Sequence, residues 1–521
     1  MKNIRWYHIA AILLFTKLVL HLYLNDQWSF HRDELLYMAL GRRLDWGFAS
    51  VPPGIAFWAW IGEQLLGGSV AAIRIISTLF SMATVWITML MAREMLPMRE
   101  SDGRFAVFII GLAGLTCGGF LRPAMLFQPV VFDLFYWTLL SWLFLKYVNT
   151  AKSKWLLWFG AIVGLGLLNK YSVLIFLFGM VPGLLFTKNR RIFSDPKLYM
   201  ACGLAFLLVF PNALWQARHQ FPLFRHIGGL VTTQFVNVTP MGFLGDQVKF
   251  FLPALPVWIA GLYFLLFRKE AKTWRIFGGM FLMVILLLMI LSAKSYYALG
   301  AYPVVLAAGA AFLESITQAR NSVIRIAVVA FMLMMAMVSI PAALPLFSPE
   351  RQARFVQQLT TAIPGMKGIQ RWEDGNYYPL PQDYADMIGW EELGHSVGEL
   401  WESLPDKYNA AIYAENYGQA AAIEHFGKPY GVPIVWSFSD NFRYWLPESL
   451  PDGFHTLIYI NDELGDDVPG FFEKIDKVWE LDMPLSRQHG NQVYRCEGPN
   501  PEFFERMCDA IQRAANEERI D

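Results

Sequence analysis

The chain has 521 residues, 55% of them hydrophobic and only 17% charged, a balance that excludes an ordinary soluble protein. Its formal net charge of zero hides an asymmetry: about thirty of the 43 acidic residues, but only about fourteen of the 43 basic ones, follow position 346. An apolar, basic membrane domain (1–346) thus precedes an acidic globular one (347–521), and that acidic surface argues against a nucleic-acid partner.

A helix crossing the hydrocarbon core needs about 20 apolar residues at about 1.5 Å each. In chain order, such stretches lie near 6–24, 70–92, 105–121, 130–148, 155–169, 171–187, 198–216, 251–267, 276–293, 297–315 and 323–346. The first has Lys2 and Arg5 before it and no small-residue cleavage site after it, so it reads as an anchor. Every second loop is basic: Arg93, Arg99 and Arg104; Lys146, Lys152 and Lys154; Lys188, Arg190, Arg191 and Lys197; Arg268, Lys269, Lys272 and Arg275; Arg320 and Arg325. The tendency of positive loops to stay inside puts these five and the N-terminus in the cytoplasm. With eleven spans, the globular domain is expected on the other side.

That outer side then holds 25–69, 122–129, 169–171, 217–250 and 294–296. It collects Asp33, Glu34, Arg42, Arg43, Asp45, Arg122, Asp133, Lys170, Arg218, His219, Arg225, His226, Asp246, Lys249 and Lys294. For any single one, snorkelling to water is the plain explanation; for a set drawn from separate loops, a shared polar cavity is the better one. Lys17, inside the first span, is an exception that snorkelling toward the inner side would explain.

In the first outer loop, segment 33–43 sets Leu35, Leu36, Ala39 and Leu40 on one stripe, predicting a short interfacial helix with His31-Arg32-Asp33 at its start. Val51-Pro52-Pro53-Gly54 breaks the chain, and 55–66 is a second, Trp-rich stretch suited to the headgroup layer. Asp33 alone fits an N-cap, as does Asp133 after Gln128-Pro129; the two on one face point to chemistry. Lys170 in GLGLLNKYS and Lys294 in SAKSYYALGAYP each mark an outer span end followed by aromatic residues, and suit an anionic headgroup or a lipid-linked phosphate.

Beyond 346, AAIYAE (410–415), PIVWS, HTLIYIN and QVYRCE read as strands, and 389–404, 417–427, 468–475 and 501–518 as helices. This predicts an α/β domain on a small sheet. It carries no G-x-G-x-x-G or P-loop, so nucleotide binding is not expected. Tyr417, Trp436, Tyr444 and Trp445 fit core or interface packing before sugar stacking, while the aromatic, acidic stretch 377–393 is suited to fold back over the polar cavity. Cys117 and Cys202 read as small hydrophobes in apolar spans; Cys496 and Cys508 are placed to pair if their compartment is oxidising.

Four segments, RDELLYMALGRRLDWGFASVPPGIAFW, FDLFYWTLLSWLFLKY, GLGLLNKYSVLIFLFG and SAKSYYALGAYPVVLAAGAAFLE, resemble in this order the bacterial relatives of dolichyl-phosphate-mannose protein mannosyltransferases. The same superfamily contains the lipid A aminoarabinose transferases. The resemblance implies a polytopic α-helical membrane protein of the GT-C fold with a C-terminal soluble α/β domain. It also implies transfer of a sugar from a polyprenyl-phosphate donor to a lipid, glycan or protein acceptor at the periplasmic face of a bacterial inner membrane, among membrane lipids. On it, Asp33 is the expected base, with Glu34 beside it and Asp133 assisting, and Lys294 lies near the lipid phosphate. Arg42, Lys170, Arg218 and His219 are further phosphate candidates, and Tyr37, Tyr296 and Tyr297 are candidates for an acceptor or lipid groove.

One departure matters. The aminoarabinose branch has a lysine just before its Pro-Pro, whereas Ser50-Val51 precede Pro52-Pro53 here, so transfer to lipid A does not follow. No cofactor is expected; Asp33, Glu34 and Asp133 leave a divalent metal open, as hard oxygen ligands. The rival reading is a transporter or flippase, which usually shows internal repeats and broken helices at the midplane; no convincing repeat is present.

Overall fold

The computed structural model describes residues 5–96, 102–317 and 322–516. Lys2, Arg99, Arg320 and the end of the helix expected over 501–518 lie outside the described residues. Seven described helices are long and apolar enough to cross a membrane: Trp6–Leu24, Val70–Glu94, Pro129–Thr150, Pro196–Arg218, Lys272–Ile290, Ser295–Thr317 and Val323–Ala343. Three bent pairs raise the number to ten: Arg104–Thr116 with Gly118–Met125 (56°), Val173–Leu185 with Lys188–Ser194 (111°), and Pro240–Phe250 with Leu252–Phe267 (76°). The apolar helix Lys154–Leu167, 14 residues long, reaches about 21 Å, less than the core's thickness of about 30 Å. Each of the eleven apolar stretches thus becomes a span, a bent pair or this short helix. The protein is a multi-pass α-helical membrane protein.

The first break accounts for Lys17. A helix interrupted in hydrocarbon strands backbone carbonyls that only other protein groups can satisfy. Lys17 Nζ donates to Gly114 O (3.0 Å) and Phe120 O (3.2 Å), on either side of the break at Cys117. Ser81 Oγ donates to Phe120 O as well, and Thr78 Oγ1 to Ala124 O, both at 3.2 Å. Lys17 therefore does not snorkel; it is 1% exposed and repairs the break. Lys17→Met is expected to cost about 1–3 kcal/mol by leaving the buried Gly114 carbonyl without this donor, seen as a lower melting temperature in detergent. Unchanged melting would contradict this role.

The chain divides into two compact units: Met1–Gln27, Leu66–Pro211 and Val231–Leu346 form one, and Trp28–Leu65, Asn212–Leu230 and Phe347–Asp521 the other. In the first, Ser295–Thr317 is the most enclosed span, with Tyr302 to Ala311 all buried. It touches the neighbouring span backbone to backbone: a Cβ on Gly309 would lie 1.8 Å from Val257 O, and one on Gly261 2.0 Å from Val305 O. Small residues allow such close approach.

In the second unit, the segment expected as an interfacial helix is the helix Arg32–Arg42, but it is not one-sided. Every residue from Glu34 to Gly41 is buried, because Gly54–Leu66 packs one side and Tyr417–Phe426 another. A Cβ on Gly41 would lie 2.9 Å from Trp60 N. Gly54–Leu66 in turn exposes Phe57, Trp60 and Leu65.

The sheet comprises β1 (Ala410–Ala414), β2 (Thr456–Asn461), β3 (Phe472–Glu480) and β4 (Gln492–Pro499), in the order β1-β2-β4-β3. β1 and β2 are parallel and the other pairs antiparallel. Helices Trp390–Ser403, Tyr417–Phe426 and Pro501–Asn516 lie where expected. Two expectations fail. PIVWS contributes only a bridge from Trp436 to Tyr413, and the helix expected over 468–475 gives way to β3. The apolar Val468, Phe471 and Ile475 mimic a helical period. Yet β3 is an edge strand whose outer groups are charged: Lys474 pairs with Asp476 (2.6 Å) and Arg495 of β4 with Asp476 (3.0 Å). Such charge guards an exposed edge and obscures the alternation that would reveal it. Cys496 and Cys508 are free thiols.

Candidate functional site

The acidic pair splits into two tasks. His31 caps the helix Arg32–Arg42: its Nδ1 accepts the Asp33 N–H at 3.0 Å, and Glu34 Oε2 accepts the His31 N–H at 2.8 Å. This reciprocal arrangement satisfies two of the helix's orphan donors. Glu34, considered above as catalytic, is 0% exposed and does this structural work. Asp33 is not the cap, and its carboxylate is addressed from elsewhere. The Tyr417 hydroxyl donates to Asp33 Oδ1 at 2.8 Å, and Arg32 Nε lies 3.8 Å from the same oxygen. The Arg32 guanidinium also sits over the Tyr417 ring, 4.7 Å from its centre.

The sequence dictates this packing locally. Asn416 ends β1's connection and caps the next helix, its Oδ1 accepting from Gly418 N (3.0 Å) and Gln419 N (3.1 Å), while Gln419 Oε1 accepts from Asn416 N. That puts Tyr417 in the first turn. Gly418 must lack a side chain, since a Cβ would meet Arg32 Cγ at 2.5 Å. Arg32 N donates to Asp386 O at 2.9 Å, and Asp386, 2% exposed, is held by Arg487 at 3.1 Å. Because His31 Nδ1 accepts a backbone N–H, the ring proton of neutral His31 is on Nε2, which lies 3.9 Å from Asp386 Oδ2.

Burial pushes the Tyr417 phenol well above its usual range; Arg32 opposes this and Asp33 adds to it. Burial alone would lower Arg32, but Tyr417, Asp386 and Asp33 together raise it. Tyr417 therefore stays a donor and Arg32 stays charged. Tyr417, read above as packing, is 384 positions from Asp33, and no local motif links them.

Other sequence candidates in this unit have fixed partners. Arg42 binds Glu63 Oε1 (2.7 and 3.0 Å) and lies 2.8 Å from His425 Nδ1. Burial, then Arg42 and Lys428, push His425 down to about 4, so it accepts as a neutral ring. Arg42, a phosphate candidate by sequence, is thus clamped between Glu63 and His425. Tyr37 is 7% exposed. His219 stacks on Trp215 with ring centres 3.9 Å apart, and Trp215 Nε1 donates to Asp45 at 2.7 Å; Arg218 is exposed at the end of Pro196–Arg218. Asp440, with a left-handed φ of 50°, is raised by burial, opposed by the Ser50 hydroxyl and His226.

The first unit gathers the remaining candidates. Asp133, 4% exposed, sits in the second turn of Pro129–Thr150, past any capping position. Its polar neighbours are Lys170, Ser172 and Trp137. Asn169 Nδ2 donates to Pro129 O at 3.1 Å, fixing the corner that carries Lys170. The Lys170 ammonium lies 4.2 Å from the Tyr297 ring and 5.1 Å from that of Tyr296, and Lys294 lies 5.9 Å from Tyr296. Tyr296 and Tyr297 therefore cradle the cations. Ser295 anchors the turn, donating to Asp246 at 2.8 Å while Gln247 Nε2 donates to Ser295 O at 2.9 Å. In this corner, outside the helices, burial lowers Lys170 to about 8, Asp133 opposes and Lys294 adds to the lowering. Two ammoniums with one carboxylate make a place for an anion.

Among the described residues, no three His, Cys, Asp or Glu side chains gather to hold a metal. Asp33 belongs to the second unit and Asp133 to the first.

Residues 50–215 match the family described as Dolichyl-phosphate-mannose-protein mannosyltransferase; this stretch includes Asp133 and Lys170 but not Asp33. Over 203 residues the chain is 28% identical to the lipid A galacturonosyltransferase RgtD of Rhizobium johnstonii, a match covering 39% of this chain and only 41% of that relative. The fold is that of ArnT from Cupriavidus metallidurans bound to undecaprenyl phosphate: TM-score 0.61 at 13% identity, over 94% of this chain and 97% of that one. The apo form gives 0.59. By sequence across residues 50–215 the chain resembles the dolichyl-phosphate-mannose-protein mannosyltransferase family, and by fold across nearly its whole length it resembles ArnT.

Proposed function

We propose that this protein is a glycosyltransferase that moves a sugar from a polyprenyl-phosphate donor to an acceptor hydroxyl at the periplasmic face of the inner membrane. The observation that carries this reading is Asp33: a carboxylate relieved of capping, 27% exposed at its side chain, and held by Tyr417 and Arg32. In the proposed step, the acceptor oxygen attacks the anomeric carbon while Asp33 takes its proton, and the bond from that carbon to the phosphate oxygen breaks. The polyprenyl phosphate leaves with the bonding electrons. A positioned base serves such a step, and single displacement inverts the anomeric centre.

In this reading Lys170 and Lys294 take the phosphate, whose charge grows as the sugar departs, and Asp133 keeps Lys170 oriented and charged. A similar structure crystallised with undecaprenyl phosphate supports a lipid-linked donor, and a relative named as a lipid A galacturonosyltransferase supports sugar transfer. The cytoplasmic N-terminus and periplasmic globular part follow from the basic loops. Ser50-Val51 ahead of Pro52-Pro53 keeps the acceptor class open among lipid, glycan and protein. The three bent helix pairs are a feature that the transporter reading shares, while Lys17 repairs one of the breaks instead of lining a path.

The test is carrier release. The purified protein, reconstituted with a membrane extract containing polyprenyl-phosphate sugars, is expected to release sugar-free undecaprenyl phosphate, followed by mass spectrometry. A carrier that stays sugar-linked while changing leaflet would mark a flippase instead.

A further inference from the structure

We propose that Tyr417 is a positioning residue for Asp33, so that the C-terminal globular domain supplies part of the reacting centre. This rests on the reading of Asp33 as the base. Three observations converge on it. The Tyr417 hydroxyl meets Asp33 Oδ1 at 2.8 Å, a direct donor-to-carboxylate bond. The phenol is fixed at the start of its helix by the Asn416–Gln419 capping box, so it approaches Asp33 from a rigid element. Arg32 lies against both, over the Tyr417 ring and 3.8 Å from Asp33 Oδ1, and Gly418 leaves the space that Arg32 fills.

A carboxylate on a helix's first turn is free to rotate about two side-chain bonds. Binding one oxygen to a phenol on a second element removes that freedom and fixes the carboxylate plane, which favours proton transfer from one direction. The hydroxyl also stabilises the ionised carboxylate, the form a base requires. Tyr417 stays protonated because burial and the Asp33 charge both raise its pKa. A tyrosine that only packs against Asp33 would leave both its titration and the product unchanged; a positioning one moves both.

The experiment uses full-length protein in lipid nanodiscs. Infrared difference spectra, with Asp33→Asn as the blank, isolate the Asp33 carboxyl band as pH is varied. Tyr417→Phe is expected to raise the Asp33 titration midpoint by about one pH unit, the loss of one hydroxyl bond to the charged form. In a deletion strain it should lower the sugar-sized product, measured by envelope mass spectrometry, by about tenfold. An unmoved midpoint in folded Tyr417→Phe overturns the proposal, and so does a moved midpoint with undiminished product. Should Tyr417→Phe fail to fold, a fluorinated tyrosine at 417 keeps the shape while making the phenol more acidic. It should lower the midpoint, and no movement overturns the proposal. Full product from Asp33→Asn would overturn the reading of Asp33 as base, and this inference with it. Abolished product there, with a normal Tyr417→Phe, overturns only the role of Tyr417.

Discussion

Asp33→Asn is expected to lower sugar transfer by about 10²- to 10⁴-fold, the range a positioned general base contributes, while leaving the protein folded. Asparagine keeps an oxygen to accept the Tyr417 hydroxyl, so the bond between the two elements survives. The capping contacts of the helix involve His31, Glu34 and the Asp33 backbone, which the substitution does not touch. Binding of polyprenyl phosphate, proposed above for Lys170 and Lys294, should also persist. The loss is therefore expected in turnover with melting temperature and carrier affinity unchanged. Turnover within a fewfold of wild type would move the base elsewhere.

Removing Lys170 should have the second-largest effect, and it carries a pH signature. Lys170→Ala is expected to weaken undecaprenyl phosphate binding by about ten- to a hundredfold, the equivalent of about 1.5–3 kcal/mol for a hydrogen bond to a charged group. Because Lys170 sits at about 8, it is an ammonium below that pH and neutral above it. The anion prefers the ammonium, so affinity should be flat near pH 7 and fall by up to tenfold per pH unit above about 8. Anion binding itself favours the proton, so the bound complex titrates higher and the protein takes up a proton on binding in that window. Calorimetry of undecaprenyl phosphate binding from pH 7 to 9.5, in wild type and Lys170→Ala, checks both. An affinity independent of pH in the wild type would remove Lys170 from the phosphate site.

Much of this was legible in the chain. Apolar length alone marked all eleven stretches, because hydrocarbon thickness leaves little choice, and Lys170 and Lys294 each stood out as an outer span end followed by aromatic residues. What escaped depended on distant partners. Asp33 and Asp133 both looked like caps, yet His31 caps one helix and Gln128 precedes the other, a difference set by backbone geometry. Arg42 looked available until Glu63 and His425 were placed against it. The stripe of 33–43 does lie on a helix, but Gly54–Leu66 and Tyr417–Phe426 bury it from two sides, a packing that amphipathicity alone could not reveal. β3 hid behind its charges, and Tyr417 behind its 384-residue separation from Asp33.

The most direct test of the whole account is mass spectrometry of envelope lipids, glycans and proteins from a deletion strain complemented with wild type or Asp33→Asn. Wild type alone should restore one sugar-sized mass, on whichever acceptor class carries it. Equal restoration by both proteins would contradict Asp33 as the base, and no mass difference between deletion and wild type would contradict sugar transfer itself.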